Sequence, residues 1–540
     1  MRGATRAKWA VWVMVVVALA ATGCGGGRSV GKGGAVRASW GDPQNPLEPA
    51  NTNEVQGGKV LDMIFRGLKK YDPRSGKAVN VIADRIKTSD QRNFTITIKD
   101  GWTFSNGEKV TAHSFVDAWN YGAALGNKQK NASFFQYIDG YDKAHPDSGK
   151  PSAKTLSGLA VKDDRTFTVR LNQKFSTWPD TLGYAAFSPL PKAFFDDHDG
   201  WIDKPIGNGP YTVRSYDKGT VMRLAKWDEY PGDDKARNNG VELRVYTDSN
   251  TAYTDLQAGN LDLADDIPAQ QLRNVKADLG DRYINQPAGI LQTLSFPMYD
   301  KAWSKSGMAK VRKGLSMAIN RRQITDEIYQ KTRVPATDWT SPVLKAEGGY
   351  KAGLCGTVCS YNAEEAKRLI TEGGGLPGGK VTVTSNVDTG SHRVWMDAVC
   401  NSINNVLGSE KACTVNPIGT FADFRNKLGG HQMTGPFRTG WQMDYPLIQD
   451  FLQPLYYTNA SSNDGKFSSP DFDRLVDKAN GESDKAKAVS DFQDAEKVLA
   501  EQMPVIPLWY QNGSAGYSES ISNVALNQFS VPVYNEIKVN

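Results

Sequence analysis

Apolar positions alternate with polar ones along NFTITI, where Phe94, Ile96 and Ile98 fall on one side. A period of two predicts a half-buried strand. Asp100-Gly101 and Asn106-Gly107 then mark turns. Thr111 is placed to cap a helix carrying Phe115, Ala118 and Trp119 on one face. GPYTVRSYDKGTVMRLAKW predicts a hairpin, two strands around Asp217-Lys218-Gly219. VELRVYTDSNTAYTDLQAGNLDLADDI reads strand, helix, strand, with Asn250 as N-cap and Gly259 as the C-terminal stop.

A second α/β region follows. Val311 to Ile328 is helical in pattern and broken near Asn320. Asn362 with Glu365 is a capping signal for a helix running to about Glu372. KVTVTSNV is a strand, and Val394, Trp395, Ala398, Val399, Ile403, Val406 and Leu407 form one helical stripe. CTVNPI is a strand, followed by a short helix near Phe421 to Leu428 and a strand near Pro436 to Gly440. Asp444, in RTGWQMDYP, therefore lies just past the carboxyl end of a strand. In open α/β sheets, that is where ligands bind. Ser469-Pro470 starts another helix, Asp484 to Gln502 a further one, and VIPLWY is a closing strand.

The N-terminus has a different character. Trp9 to Ala21 is an apolar run of 13 residues preceded by Arg2, Arg6 and Lys8. A bilayer-spanning helix needs about 20, so 1–23 reads as a secretory signal. Ala21-Thr22-Gly23-Cys24 resembles a bacterial lipobox, which implies cleavage before Cys24 and diacylglycerol on its sulfur. Residues 24–35 are Gly-rich and read as a flexible tether. Without the three basic residues of 1–23, the formal charge falls from +5 to +2, which argues against a nucleic-acid footprint. At 540 residues, two or three lobes are expected.

With Cys24 acylated, four cysteines remain in an exported chain. Local pairing, Cys355–Cys359 and Cys400–Cys413, is the expected arrangement, although four cysteines allow three connectivities. Zinc is excluded by the spacing and by the lack of a nearby His.

Enzyme motifs fail one by one. Gly374-x4-Gly379-Lys380 approaches a P-loop, but Val381 replaces the required hydroxyl and the helix comes before the strand. GLSMA at Gly314 lacks the second Gly of a nucleophile elbow. The five His are scattered, DDHDG reads as an exposed acidic loop, and Asp262 with Asp265-Asp266 reads as a strand with a solvated end. What remains is a chain with 13 Trp and 21 Tyr, which suits binding by stacking and enclosure or simply fills a large core.

Five segments, in order, carry a resemblance: FTITIKDGWTFSNGEKVTAHSFVDAW (94–119), IGNGPYTVRSYDKGTVMRLAKWDEYPG (206–232), AYTDLQAGNLDL (252–263), VRKGLSMAINRRQI (311–324) and SSPDFDRLVDKA (468–479). Together they resemble the extracytoplasmic oligopeptide- and dipeptide-binding proteins of ABC importers, solute-binding protein family 5. The resemblance implies an α/β fold of the type II periplasmic-binding-protein kind with three lobes. Lobe I would be 36–72, 201–290 and 510–540; lobe II an inserted α+β lobe, 73–200; lobe III 291–509, with two crossing strands as a hinge. It implies no catalysis, no cofactor and no metal. The partners would be a peptide, the permease subunits with their ATPases, and the outer face of the cell membrane through the lipid on Cys24 alone, with the protein a monomer.

In peptide-binding members, the acid of Trp-x-x-Asp-Tyr pairs with the peptide's ammonium; here that is Asp444 after Trp441. Arg438 matches a family Arg that can meet a ligand carboxylate, and Trp441 and Tyr445 would wall the pocket. Asn53 and Val55, in NTNEV, would offer backbone groups, and SFFQY (133–137) an aromatic wall. Gln442 stands where some relatives have a disulfide Cys. Relatives that bind oligosaccharides, nickel or haem keep those alternatives open, and a secreted hydrolase or a signalling surface protein are the readings outside transport.

Overall fold

The computed structural model describes residues 34–387, 392–460 and 462–540, with only the backbone of Ala422. The expected signal segment 1–23, Cys24 and all but residues 34 and 35 of the expected tether 24–35 lie outside the described residues.

Among the described residues, the largest sheet has 11 strands. Two 13-residue strands, Tyr283–Ser295 and Val505–Tyr517, pair antiparallel along their whole length at its middle. Their register breaks between Pro287 and Ile290. On one side of this pair lie Leu263–Ala264, Ala35–Trp40, Gly240–Val245, Val221–Lys226 and Tyr211–Asp217. On the other lie Phe437–Gln442, Val381–Asn386 and Cys413–Ile418, while Arg333–Pro335 pairs with Val505–Tyr517. The two sides have separate hydrophobic cores: Val36, Trp40, Tyr211 and Leu243 belong to one, and Val383, Trp395, Phe492 and Trp509 to the other.

A separate four-stranded sheet is made of Ala83–Lys87, Asn93–Ile98, Thr166–Arg170 and Leu159–Asp163. Phe94, Ile96 and Ile98 are buried, as the alternation requires. Helix Ala112–Ala123 covers this sheet, and its Phe115 ring stacks on Phe167 at 5.8 Å.

Most predicted elements appear, with three corrections. Helix Ser249–Gln257 is capped by Asp248, which accepts from Thr251 N at 3.0 Å, and not by Asn250. The cap must have extended backbone, and Asp248 has φ −140° while Asn250 is already helical. In helix His392–Leu407, Trp395, Val399, Ile403 and Val406 are buried, but Val394 is 47% exposed. Residues on a helix step by about 100°, and the arc that buries Trp395, Met396, Val399 and Cys400 leaves Val394 outside it. Finally, of the expected solvated end Asp265-Asp266, Asp266 is exposed but Asp265 pairs with Lys59, while Asp262 holds Arg37 through both oxygens, at 2.6 and 2.9 Å.

Disulfides join Cys355 to Cys359 and Cys400 to Cys413; the second ties helix His392–Leu407 to its following strand. Trp119, Trp178, Trp303, Trp339, Trp395 and Trp509 are fully buried, so much of the aromatic content serves packing. Among the described residues, no helix is long and apolar enough to cross a membrane.

Candidate functional site

Strand Phe437–Gln442 lies against Tyr283–Ser295, with Arg438 opposite Leu294 and Trp441 opposite Leu291. Side chains alternate along a strand, so Arg438 and Trp441, three positions apart, point to opposite faces. The pairing continues one step, as Met443 N donates to Gly289 O at 2.9 Å. A Cβ at position 289 would press on the Met443 side chain, which would have to move. The chain then turns through Asp444–Leu447 into helix Ile448–Tyr456.

Asp450, in the first turn of that helix, organises the turn. Its Oδ2 accepts the Trp441 indole N–H at 3.0 Å and the Asp444 backbone N–H at 2.9 Å. The side chain is 0% exposed, and among the described residues its Oδ1 has no hydrogen-bond partner. Burial, and then the charge of Asp444, push its carboxyl well above the usual range. Asp444 itself is half-buried; burial pushes it up to about 7, against a hydrogen bond from the Tyr184 hydroxyl. A helix N-terminus favours an anion by about 0.3–1 kcal/mol, whereas desolvating a carboxylate costs several kcal/mol. Burial therefore wins at Asp450.

Residues far apart in the chain meet here. Phe134 stacks on Tyr184 at 4.3 Å and touches Tyr445 edge-on at 6.4 Å. Tyr71 lies 5.4 Å from Phe529 and donates to Asp180 O at 3.0 Å. The Tyr445 hydroxyl donates to Gln449 Oε1. Burial, with Asp444 and Asp450 adding to it, pushes the phenols of Tyr71, Tyr184 and Tyr445 far up. No Lys, Arg or His is among the described residues acting on either acid.

Arg438 and Arg333 act on His392, whose pKa is held well below its usual value by burial and by those two charges. His392 Nδ1 accepts the Trp395 indole N–H at 2.9 Å. The Arg333 guanidinium sits 3.9 Å above the Tyr329 ring. Asn53 is exposed and accepts from Asn45 at 2.9 Å, and Val55 is exposed as the first residue of helix Val55–Ile64. Their segment reaches Asp444 indirectly: Asn131 donates to Thr52 O at 2.7 Å and also faces Tyr184.

The structure thus brings Asp444, Trp441 and Tyr445 together, while Arg438 points away from Trp441 and acts on His392. Sequence reasoning missed Asp450, Tyr71, Tyr184, Arg333 and His392. Asp450 had a weak signal, an acid in a helix's first turn; the others had none. Among the described residues, no cluster of three or more His, Cys, Asp or Glu is arranged to hold a metal ion.

Comparison with known proteins fits this geometry. The family model described as bacterial extracellular solute-binding proteins, family 5 Middle, matches residues 77–463. The oligopeptide-binding protein OppA of Bacillus subtilis is 25% identical over 546 residues, covering 96% of this chain and 97% of that protein. The solved murein tripeptide-binding protein MppA of Escherichia coli superposes with TM-score 0.82 at 21% identity, covering 94% of this chain and 98% of that one. Haemophilus influenzae OppA, solved with the peptide RPPGFSPFR, gives TM-score 0.81 at 19% identity over 94% of this chain and 99% of that one. At such identities, the structural likeness is one of fold.

Proposed function

This chain belongs to the bacterial extracellular solute-binding proteins of family 5, and on that premise we propose that it captures peptides and delivers them to an ABC permease with its ATPases. One observation carries the reading: a carboxyl past a strand's carboxyl end, walled by aromatic rings, with no cation among the described residues acting on it. A peptide ammonium supplies that cation. Pairing offsets the cost of burying the Asp444 charge, so binding and enclosure favour one another. Trp441 and Tyr445 shape the site, and Arg438 with Arg333 meets a ligand carboxylate. Asn53 and Val55 contribute backbone groups from the far wall.

Enclosure comes from hinge motion of lobe I (36–72, 201–290, 510–540) with its insertion, lobe II (73–200), against lobe III (291–509). Strands Tyr283–Ser295 and Val505–Tyr517 cross between lobes I and III, and their register break gives the bend a place. The mature protein begins at Cys24, is held to the outer face of the cell membrane by lipid on that residue, and works as a monomer.

The test is a binding titration of short peptides against their N-acetylated forms, in wild type and Asp444→Asn. Loss of the ammonium pair weakens binding by about 2–5 kcal/mol, roughly 30-fold or more. Equal affinity for both forms in both proteins refutes the reading. So does a thermal shift produced by oligosaccharides and by no peptide.

A further inference from the structure

Behind Asp444 stands an acid whose hydrogen bonds are half complete. Asp450 is 0% exposed. Its Oδ2 accepts from Trp441 Nε1–H and Asp444 N–H, at 3.0 and 2.9 Å, and the Tyr445 backbone N–H also acts on the carboxyl, while among the described residues its buried Oδ1 has no hydrogen-bond partner. An ionised carboxylate only accepts, and here one of its oxygens would have nothing to accept. The titratable and charged groups acting on this corner are Asp444 and Tyr445 from its own turn, Tyr71 and Tyr184 from across the cleft, and Asp180 beside Tyr71. None of them brings a positive charge. Two ionised acids in one turn would repel each other and go without solvent. A protonated acid has a different inventory: one O–H donor, with the second oxygen still accepting.

We propose that Asp450 is a neutral positioning residue: it carries a proton on Oδ1 and gives it in a hydrogen bond to the Asp444 carboxylate. Its Oδ2 keeps the backbone of Asp444 and the Trp441 indole in place. The site then holds one negative charge, on Asp444, and is built for a single ammonium. A second cation next to the first gains nothing from Asp450. When the ammonium binds, the Asp450 proton stays where it is; only a proton on Asp444 leaves, to solvent. This rests on the reading of Asp444 as the ammonium partner.

Asparagine mimics the protonated acid: Oδ1 accepts from the two N–H groups and Nδ2 donates to Asp444. Titrating a short peptide at slightly alkaline pH therefore separates the cases. Asp450→Asn binds within a few-fold of wild type, whereas Asp450→Ala, which leaves Asp444 without its donor, binds at least about tenfold more weakly. As the pH is lowered through about 7, wild type and Asp450→Asn lose affinity in parallel, because Asp444 takes up a proton. Asp450→Asn as weak as Asp450→Ala, or a second titration seen in wild type alone, overturns the assignment.

If the Ala variant does not fold, difference infrared spectroscopy decides. Wild type at slightly alkaline pH shows the carbonyl band of an un-ionised carboxylic acid that Asp450→Asn lacks; no such band overturns the proposal. Equal binding of N-acetylated peptide to wild type would overturn the Asp444 reading instead, and the infrared band would still judge the proton on Asp450.

Discussion

Replacing Glu496 by Gln stabilises this protein at neutral and alkaline pH and does little at acid pH. Glu496, on helix Lys485–Gln502, and Asp338 are both 0% exposed. Asp338 Oδ1 accepts from the Tyr510 hydroxyl at 2.8 Å and from Thr340 N at 3.1 Å, and Glu496 Oε1 accepts from Trp339 N at 3.1 Å. Asp338 Oδ2 and Glu496 Oε2 have no partner. Burial pushes Asp338 up to about 7; burial and then Asp338 push Glu496 well above its usual value. The other titratable groups acting there are Tyr350, Tyr456 and Tyr510, none of them cationic.

A carboxyl raised in the folded state holds its proton better there than in the unfolded chain. Its contribution to stability is complete below the unfolded pKa of about 4 and is lost as pH rises through the folded value. Each such group costs about 1.4 kcal/mol per pH unit across that window. For Asp338, rising from 3.8 to about 7, the loss is on the order of 4 kcal/mol. Glutamine removes the Glu496 slope, keeps the oxygen for Trp339 N, and adds an amide donor for Asp338. Between about pH 5 and pH 7, the stability difference between Glu496→Gln and wild type should widen by about 1.4 kcal/mol per unit. Urea unfolding at several pH values measures it. Parallel pH dependences, or a variant less stable throughout, refute the reasoning. The pair also bears on the crossing strands, since Tyr510 lies opposite Leu291 and Ser341 Oγ donates to Ala288 O at 3.0 Å.

Two further outcomes are expected. Cys400→Ser with Cys413→Ser removes a cross-link spanning a sequence separation of 13; it lowers stability by about 3 kcal/mol in denaturant titrations while leaving peptide affinity nearly unchanged. Arg438→Ala weakens peptides with a free carboxylate by about 1.5–3 kcal/mol and C-amidated ones much less; equal losses for both would remove Arg438 from the ligand.

Local pattern accounts for a large part of this protein. Alternation placed Phe94, Ile96 and Ile98 inside a strand, and Asn362 caps helix Ala363–Glu372 through Glu365 N at 3.0 Å. These follow from two- and 3.6-residue periods and from capping chemistry, which act over a few residues. Asp444 was visible as a strand-end acid for the same reason. Caps and faces that depend on one residue's backbone, such as Asp248 over Asn250, were not, because neighbouring polar residues offer the same local chemistry.

The order of elements, the strand-end place of Asp444 and, through five ordered segments, the family resemblance are legible along the chain. How Asp444 behaves is set by the fold. Tyr71, Phe134 and Tyr184 reach it across hundreds of residues, Asp450 turns back on it from the next helix, and Arg438 is turned away from Trp441 toward His392. The ionisation of a carboxyl depends on its distance from water and from other charges. Folding sets those distances, and no spacing along the chain records them.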